Sequence, residues 1–327
     1  MSNNTVSIII PAFNSGKTIS KCVESLLSLE YPDYEIIIVN DGSTDDTLSL
    51  LKNYEASPKL VIIDQPNAGP SIARNKAIKL AKGAFIAFTD ADCTVKPDWL
   101  KELLKGFTAA NPYTIMGVGG DQLSPPDESN FGKSINEFLK KIGLLSDYIK
   151  DAEGKTAIIE TAHNPTCNVI YRKEIFDKIG YFDENLWPGE DVDLDYRIKQ
   201  SGFKLMFNPS AVVYHYRQTN MAGYKRMMFR YGNVQAILVK RYGFFRKIQY
   251  VPFFLLFLIF SLVLACFVSI LTALELLALQ LLVFVAAFFI NTKDFKKAFL
   301  QLYYLIITVG CWNMGFAAGM FSGKQKK

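Results

Sequence analysis

Short apolar runs alternate with stretches of helical spacing along the first part of the chain. Each run holds several β-branched residues and ends in polar residues, which is typical of a buried strand. The stretches between the runs place apolar residues three and four positions apart, as in helices that pack on a sheet. This alternation predicts a parallel sheet with helices on both faces. The predicted strands are Val6–Ile10, Glu35–Val39, Leu60–Ile63 and Ala84–Phe88.

Helix boundaries can be placed between these strands. Ser43 and Asp46 have the spacing of a capping box, which predicts a helix start after the second strand. Pro70 stands where the first turn of the next helix is expected, and Gly83 stands just past its end.

The alternation weakens after Trp99. Residues 114–118 predict a fifth strand, and residues 204–207 and 211–214 predict two short strands. Residues 131–149 carry apolar residues at helical spacing with lysines opposite them, which predicts an amphipathic helix. This helix lies either on a membrane surface or against the core of the domain.

The C-terminal part of the chain is strongly apolar. Glu275 is the one charged residue between Val251 and Ile290, and residues 298–321 contain none. Uncharged apolar stretches of about 18 residues or more predict membrane spans. The predicted organisation is a globular domain over 1–220, a basic amphipathic segment over 221–249 and a membrane region over 250–327. The predicted spans are 251–272, 274–291 and 298–321, with a turn near Thr272–Glu275.

The net charge of +5 is concentrated just before the first predicted span. Basic residues at this position favour the cytoplasmic side and attract anionic headgroups, so membrane lipids are better partners than nucleic acid. The lysines between the second and third spans favour a cytoplasmic position for that connection. With three spans, Lys324, Lys326 and Lys327 would then lie on the opposite side of the membrane. Because this opposes the positive-inside tendency, two spans or a re-entrant third segment remain open alternatives.

The compartment of the N-terminal domain can also be predicted. The first residues lead into a strand without a basic segment or a cleavage site, so we expect no secretory signal. The five cysteines form no C-x-x-C pair, which fits a reducing compartment. We therefore expect a multi-pass membrane protein with a cytoplasmic N-terminal domain.

Two carboxylates follow the fourth predicted strand. Asp90 and Asp92 are separated by one residue at the carboxyl end of this strand, where parallel sheets bind ligands. Carboxylates at this spacing can turn toward one hard cation, and such a cation can bridge diphosphate oxygens. The alternative for an isolated pair of this kind is a solvated loop.

The other strand ends offer further polar groups. Asp41 follows the second strand and can accept hydrogen bonds from a pyrimidine or a ribose, or can simply close a turn. Arg74 lies one turn into a helix, where it can meet a phosphate or form a surface ion pair. The chain lacks G-x-G-x-x-G and the P-loop motif, which argues against a nicotinamide dehydrogenase and a P-loop NTPase.

Acidic residues also open a predicted helix after Gly189. Glu190 and Asp191 in its first turn complement the helix dipole, but across a cleft Asp191 can serve as a general base with Glu190 beside it. His215 ends the last predicted strand and is a candidate nitrogen ligand for the same metal, while His163 is a weaker candidate. Each histidine can instead be structural.

Five motifs stand out between about residues 5 and 220. They are Pro11-Ala12-Phe13-Asn14, Asn40-Asp41-Gly42-Ser43-Thr44-Asp45, Asn67-Ala68-Gly69 with Ala73-Arg74-Asn75, Asp90-Ala91-Asp92 and Gly189-Glu190-Asp191. Taken together, in order and spacing, they resemble those of the family 2 glycosyltransferases. The resemblance implies the GT-A fold, which is the Rossmann-like α/β domain of nucleotide-diphospho-sugar transferases, here followed by C-terminal transmembrane helices.

The resemblance also implies a donor site for a nucleotide-diphospho-sugar. Pro11, Phe13 and Asp41 would frame the base, for which uridine is the default, and Asn67 and Arg74 would face the donor. The residues expected at this site are Pro11, Phe13, Asn14, Asp41, Asn67, Gly69, Arg74, Asp90 and Asn168.

The implied reaction is a metal-assisted transfer with inversion. Asp92, together with Asp90 and His215, would hold Mn²⁺ or Mg²⁺ at the diphosphate, and Asp191 would be the base. Membrane spans suggest a lipid-linked or glycolipid acceptor that offers a hydroxyl or a phosphate.

The chain departs from the family pattern in two places. Cys167 replaces the glycine of the family's Thr-Gly-Asn segment, which affects the sugar-facing role expected of Asn168. No tryptophan is preceded by arginine, so the Q-x-x-R-W motif of processive members is missing and a non-processive enzyme is expected. The alternative is a non-catalytic subunit that binds sugar nucleotides and assembles a membrane glycan complex. A transporter is disfavoured because the spans hold one charged residue.

Overall fold

A computed structural model of the chain describes residues 4–109, 113–142, 157–217 and 220–322. The chain divides into two compact units, Met1–Arg217 and Gln218–Lys327. The first unit is a mixed α/β domain and the second is helical in its described part.

Nine strands among the described residues form one sheet in the first unit. Their order is β3-β2-β1-β4-β8-β6-β9-β5, and β7 pairs with β9. The strands are β1 (Val6–Ala12), β2 (Tyr34–Asp41), β3 (Leu60–Gln65), β4 (Phe85–Phe88), β5 (Cys93–Val95), β6 (Ile115–Leu123), β7 (Ile159–Thr161), β8 (Val169–Arg172) and β9 (Lys204–His215).

The first four strands are parallel, as the alternation predicts. The prediction of a wholly parallel sheet is wrong for the rest of it. Here β6 and β9 are parallel, but β8 is antiparallel to β4 and β6, and β5 and β7 are antiparallel to β9. Only the segment from Thr89 to Asp92 separates β4 from β5, which pairs with β9 at the far edge of the sheet. This short connection keeps Asp90 and Asp92 at the carboxyl end of β4.

Helices cover both faces of the sheet. Ile8 and Ile10 of β1 face one apolar cluster that includes α1, and Ile9 faces a second cluster that includes α3. This alternation of side chains is the period of two expected for a strand buried on both faces. The helices of this unit are α1 (Ile19–Leu27), α2 (Thr47–Lys52), α3 (Pro70–Leu80), α4 (Trp99–Lys105), α5 (Asn130–Lys141), α6 (Glu174–Ile179) and α7 (Glu190–Gln200).

Two local predictions need correction, and one alternative is decided. The Ser43–Asp46 capping box does not form, because the Ser43 hydroxyl accepts the Asn14 N–H while the Asp45 carboxylate accepts the Thr47 N–H at the start of α2. The two short strands after residue 203 are one strand, β9, with a register shift in its pairing with β6. The amphipathic helix, α5, buries Ile135, Phe138 and Leu139, and its predicted end lies outside the described residues.

The second unit contains four helices in its described part: α8 (Met221–Tyr242), α9 (Val251–Val268), α10 (Ile270–Thr292) and α11 (Phe295–Phe321). Three helices of this region are long and apolar enough to cross a membrane, at Lys247–Val268, Ile270–Thr292 and Phe295–Phe321. The turn predicted near Thr272 lies at Ser269 instead, because the Ser269 hydroxyl accepts the Thr272 N–H and caps α10. The composition of these helices indicates association with a membrane.

Candidate active site

The loops after β1 and β2 are tied to each other at the carboxyl end of the sheet. Asn14 accepts the Thr44 N–H at its side-chain oxygen (2.8 Å) and donates its own N–H to the Ser43 hydroxyl (3.0 Å). Its φ of 50° lies in the left-handed region, which asparagine tolerates better than most residues. Asn14 therefore orients the neighbouring Phe13, whose ring is 51% exposed.

Asp41, at the end of β2, organises the loop that leads into α3. Its carboxylate accepts hydrogen bonds from the Gln65 side chain and from the N–H groups of Ala68 and Gly69, at 2.7–2.9 Å. The Asn67 amide donates to the Asp41 carbonyl oxygen. Asp41 is thus buried. Its Oδ1 accepts two hydrogen bonds and its Oδ2 accepts one. Because a carboxylate oxygen can accept two, Oδ2 can accept one more.

The segment that Asp41 holds begins α3 with an exposed polar edge. Asn67 is exposed, Gly69 has a φ of 94°, and Pro70 occupies the first helical position. A residue with a Cβ would be strained at this φ, so the sequence Asn-Ala-Gly-Pro fits the turn. Pro11 lies near the end of β1, and Phe13 follows the strand directly. This end of β1 is beside the end of β2.

Arg74 links the tip of β4 to the start of α7. Its guanidinium donates to the Asp90 carboxylate (2.8 Å) and to the Glu190 carboxylate (2.7 Å). The Arg74 side chain is 4% exposed and that of Glu190 is 5% exposed, so both charges are paired inside the protein. Such a fork can hold two carboxylates at once, which a lysine cannot do with the same geometry.

Asp92 and His215 lie side by side across β5 and β9. Asp92 Oδ1 is 3.3 Å from His215 Nε2, and the backbone of Cys93 pairs with that of His215. Burial opposes the charged imidazole, but the Asp92 carboxylate outweighs it and raises the pKa of His215 to about 10. The same contact lowers the pKa of Asp92 against the effect of burial.

This pair fits a divalent cation. Ligand atoms of Asp92, Cys93 and His215 all lie within 4.8 Å of one another. Burial raises the pKa of the Cys93 thiol well above its usual range, so Cys93 offers a neutral thiol, and the carboxylate and imidazole are the better donors. An oxygen and a nitrogen donor together suit Mn²⁺, while Mg²⁺ prefers oxygen alone.

Two residues that sequence reasoning did not single out for the site support His215. The Gln122 side-chain oxygen lies 3.4 Å from His215 Nδ1 and accepts a hydrogen bond from Arg217 (2.9 Å). Arg217 also donates to Asn136 of α5. No short motif marks these residues, because they come from β6, α5 and the segment after β9.

Asp191 lies in the first turn of α7. Gly189, in the left-handed conformation with φ 102°, precedes this helix, and Asp191 accepts the Val192 N–H at 2.8 Å. Its side chain is 18% exposed, whereas that of Glu190 is buried. Burial and the adjacent Asp191 carboxylate raise the pKa of Glu190 to about 7, against the opposing effect of Arg74.

His163 contacts the same helix from a loop before β8. Its Nε2 is 3.9 Å from Asp191 Oδ2, and its Nδ1 is 2.9 Å from Asp195 Oδ2. Sequence reasoning weighed His163 only as a metal ligand, and the structure places it beside Asp191 instead of beside Asp92. The one sign of this arrangement in the sequence was the four-residue spacing of Asp191 and Asp195, which puts both on the same face of a helix.

Asn168 is placed in the core and not at the cleft. It has no exposed surface, its side-chain oxygen accepts the Trp99 indole N–H, and its NH₂ group donates to the carbonyls of Asp121 and Ala211. These three bonds join β6, β8, β9 and α4. The donor-facing role expected of Asn168 therefore finds no support in its placement.

Contacts link several of the predicted residues. Asp90 is bound to Arg74, Arg74 to Glu190, and Glu190 is followed by Asp191. Asp92 follows Asp90 by two residues and contacts His215. Asp41 contacts the segment that begins α3, the helix that carries Arg74.

Comparisons with known proteins identify the family of the chain. Residues 7–180 match the family model for glycosyl transferase family 2. The chain is 25% identical over 98% of its length to a dolichyl N-acetyl-alpha-D-glucosaminyl phosphate 3-beta-D-2,3-diacetamido-2,3-dideoxy-beta-D-glucuronosyltransferase of Methanococcus voltae, of which it covers 99%. It is 28% identical over 64% of its length to the glycosyltransferase AglE of Haloferax volcanii, of which it covers 66%.

A solved structure shares the fold. The mannosyltransferase PcManGT of Pyrobaculum calidifontis, solved in complex with GDP-Man and Mn²⁺, superposes with a TM-score of 0.68 at 19% identity. The likeness covers 98% of this chain and 88% of that one, and it identifies the GT-A fold. Since the family model spans more than half of the chain, the protein is a glycosyltransferase that belongs to glycosyl transferase family 2.

Proposed function

We propose that the protein is a membrane-associated, inverting and non-processive glycosyltransferase that moves a sugar from a nucleotide-diphospho-sugar to a lipid-linked acceptor. The observation that carries this proposal is the buried bridge from Asp90 through Arg74 to Glu190. It sets the carboxylates at the end of β4 and the first turn of α7 against one guanidinium. In this proposal the metal-binding edge and the general base therefore lie next to each other.

The donor nucleotide lies over the ends of β1 and β2 in this proposal. Phe13 offers an exposed ring for stacking on the base, and Asn14 and Asp41 hold the two loops around it. Asn67 offers an exposed amide at the start of α3. Uridine is the first base to test, because a carboxylate such as Asp41 can accept the N–H of a pyrimidine.

Asp92 and His215 would hold the divalent cation, with Asp90 oriented by Arg74 beside them. Bound there, Mn²⁺ or Mg²⁺ would offset negative charge on the diphosphate leaving group. The mixed oxygen and nitrogen donors favour Mn²⁺. Arg74 keeps one Asp90 oxygen engaged and so fixes the direction of the other.

Asp191 would act as the general base. Its partly exposed carboxylate takes the proton from the acceptor hydroxyl as the acceptor oxygen forms a bond to the anomeric carbon. The bond from that carbon to the diphosphate breaks, and its electron pair leaves with the nucleoside diphosphate. Attack from the face opposite the leaving group inverts the configuration.

The acceptor is proposed from the apolar helices and from a relative. Three helices of this chain are long and apolar enough to cross a membrane. The Methanococcus voltae relative, which this chain matches along nearly all of its length, acts by its name on a dolichyl phosphate sugar. We infer that this chain also takes an acceptor that sits in the membrane, with the catalytic unit on the cytoplasmic side where the basic residues before the first span favour it.

A donor screen tests the proposal. Full-length protein purified in detergent is incubated with Mn²⁺ and a panel of UDP- and GDP-sugars, with and without a lipid extract, and the released nucleoside diphosphate is measured. We expect one donor to give release that depends on lipid and is lost with a metal chelator. Tight donor binding without lipid-dependent release would instead support a non-catalytic binding subunit.

A further inference from the structure

A buried histidine lies between two carboxylates of one helix. The side chain of His163 is 8% exposed, and its two ring nitrogens face Asp195 Oδ2 at 2.9 Å and Asp191 Oδ2 at 3.9 Å. Residues four positions apart lie on the same face of a helix, so α7 presents both carboxylates to the one imidazole. The imidazole is thus held in line between a buried aspartate and the candidate base.

Asp195 anchors the inner side of this array. Its carboxylate accepts the Asn164 N–H (2.7 Å), the Tyr171 hydroxyl (2.7 Å) and, at the oxygen shared with Asn164, His163 Nδ1. Burial raises the pKa of Asp195, and these three donors oppose the rise. With three donors directed at it, the carboxylate acts as acceptor, so Nδ1 carries the proton and Nε2 faces Asp191.

The outer contact is longer than a hydrogen bond in the free protein. A distance of 3.9 Å between His163 Nε2 and Asp191 Oδ2 exceeds the usual range, but catalytic hydrogen bonds often tighten only when substrate is bound. Other charged groups also face Asp191, namely Glu190 on the same helix and Arg74 of α3. Tyr171 of β8 reaches the array through Asp195.

We propose that His163 takes up, at Nε2, the proton that Asp191 removes from the acceptor, while Asp195 holds the imidazole in the tautomer that can do so. This inference rests on the proposed function, because it presupposes that Asp191 is the base. It assigns to His163 and Asp195 a part in the transfer that the metal site does not supply.

The proton and electron balance is complete within the array. The acceptor O–H bond breaks as its oxygen bonds to the anomeric carbon, and the proton passes to the Asp191 carboxylate. The same proton then passes from Asp191 to His163 Nε2, which leaves Asp191 ionised again. The imidazolium so formed lies between two carboxylates, and it returns its proton to water through the exposed edge of Asp191 after the products leave.

Two substitutions of His163 separate this role from a structural one. In His163→Asn the amide NH₂ group lies near the position of Nδ1 and keeps a donor for Asp195, but no group remains that can accept a proton from Asp191. In His163→Gln the amide reaches toward Asp191 but likewise cannot take up a proton. For both variants we expect kcat to fall about 10²-fold, with donor affinity and KM for the donor unchanged.

Asp193→Asn is the matched control. Asp193 lies on the same helix and is buried, but its partner is Arg197, at 2.9 Å. The substitution removes an equally buried charge from α7 without touching the array, so kcat should stay near that of the wild type. A wild-type rate in His163→Asn, in protein that binds the donor normally, would overturn the proposal.

Failure of the relay and failure of the proposed function give different results. If Asp191→Asn keeps normal transfer, Asp191 is not the base and the proposed function is wrong at that point. If Asp191→Asn loses transfer while His163→Asn transfers at the wild-type rate, Asp191 remains the base and only the relay is rejected.

Discussion

At the scale of single residues, Arg74 is the residue that links the two halves of the candidate site. It is buried, and its guanidinium pairs with carboxylates from two parts of the chain that lie far apart in sequence. Removing or shortening such a group leaves a buried carboxylate without its partner, which is costly. Arg74 therefore sets the position of Asp90 relative to α7.

Arg74→Lys tests this role. Lysine keeps the charge but cannot donate to both carboxylates in the same geometry, so we expect the free energy of unfolding to fall by about 1.5–3 kcal/mol. We also expect kcat to fall more than the unfolding free energy alone explains, because Asp90 loses its fixed direction. Chemical unfolding and donor turnover measure the two effects.

Arg172→Lys is the control for this substitution. Arg172 donates to the Ile115 carbonyl and lies opposite Phe85, at the end of β4 away from Asp90. Its replacement should lower stability without a specific loss of kcat. Equal losses of kcat in the two variants would contradict a special role for Arg74.

Metal binding should depend on pH through His215. Since Asp92 raises the pKa of His215 to about 10, the imidazole is protonated near neutral pH and must lose that proton to bind a cation. Affinity for Mn²⁺ should therefore rise with pH, by up to about tenfold per pH unit between about pH 6 and pH 8. Calorimetry in buffers of different ionisation enthalpy measures both the affinity and the released proton.

His215→Gln provides the comparison for the metal titration. This variant keeps a polar side chain but has no proton to release, so its weaker affinity should be nearly independent of pH over the same range. A pH-independent affinity in the wild type would exclude His215 as a ligand.

Residue types at strand ends were predictable from the sequence, and long-range hydrogen bonds were not. Asp90 and Asp92 stand directly after an apolar run, so their place at the sheet edge followed from the pattern. Asn168 occupies the position of a motif asparagine, but its side-chain amide is hydrogen-bonded to Trp99, Asp121 and Ala211. No local pattern reveals these bonds. Local pattern identifies the end of a strand, while the folded chain decides which polar groups remain available.

At the scale of elements, the first half of the sheet follows from the alternation and the second half does not. The strands β1 to β4 are separated by helices, so their parallel order was predictable. The strands β5 to β9 follow connections of uneven length, and their mixture of parallel and antiparallel pairings depends on contacts distant in sequence. The site lies where these two halves meet, since β4 pairs with both β1 and β8.

In the second unit, two helices approach each other closely. A Cβ added to Gly315 of α11 would lie 1.9 Å from the Phe229 carbonyl of α8, and one added to Gly232 of α8 would lie 1.9 Å from the Trp312 carbonyl. These glycines let the backbones of α8 and α11 pack directly against each other. Small residues at the contact between two helices are typical of helix pairs in membranes.

Gly315→Ala and Gly310→Ala form a matched pair for testing this contact. Both glycines lie in α11, but a Cβ at Gly310 would meet no atom within 4 Å. We expect Gly315→Ala to lower the thermal unfolding temperature in detergent, with a cost of about 1–3 kcal/mol from overpacking. Gly310→Ala should leave it unchanged or raise it, because alanine favours the helix. Similar shifts in the two variants would contradict the close packing.

At the scale of the whole molecule, the chain combines a GT-A unit with helices suited to a membrane. The family match covers residues 7–180, and the apolar helices begin after it. In the proposed function this combination gives a transferase that works on an acceptor held in the lipid. Its central claim is that the donor is bound at the end of β4 and that Asp191 of α7 activates the acceptor.

The most direct test of that claim compares Asp191→Asn with the wild type in two assays. The substitution keeps the size of the side chain and removes the base, so transfer to the lipid acceptor should be abolished. Donor binding, measured by calorimetry with Mn²⁺ present, should remain within about threefold of the wild type, because the proposed donor contacts lie on other loops. Near-normal transfer by Asp191→Asn would contradict the account.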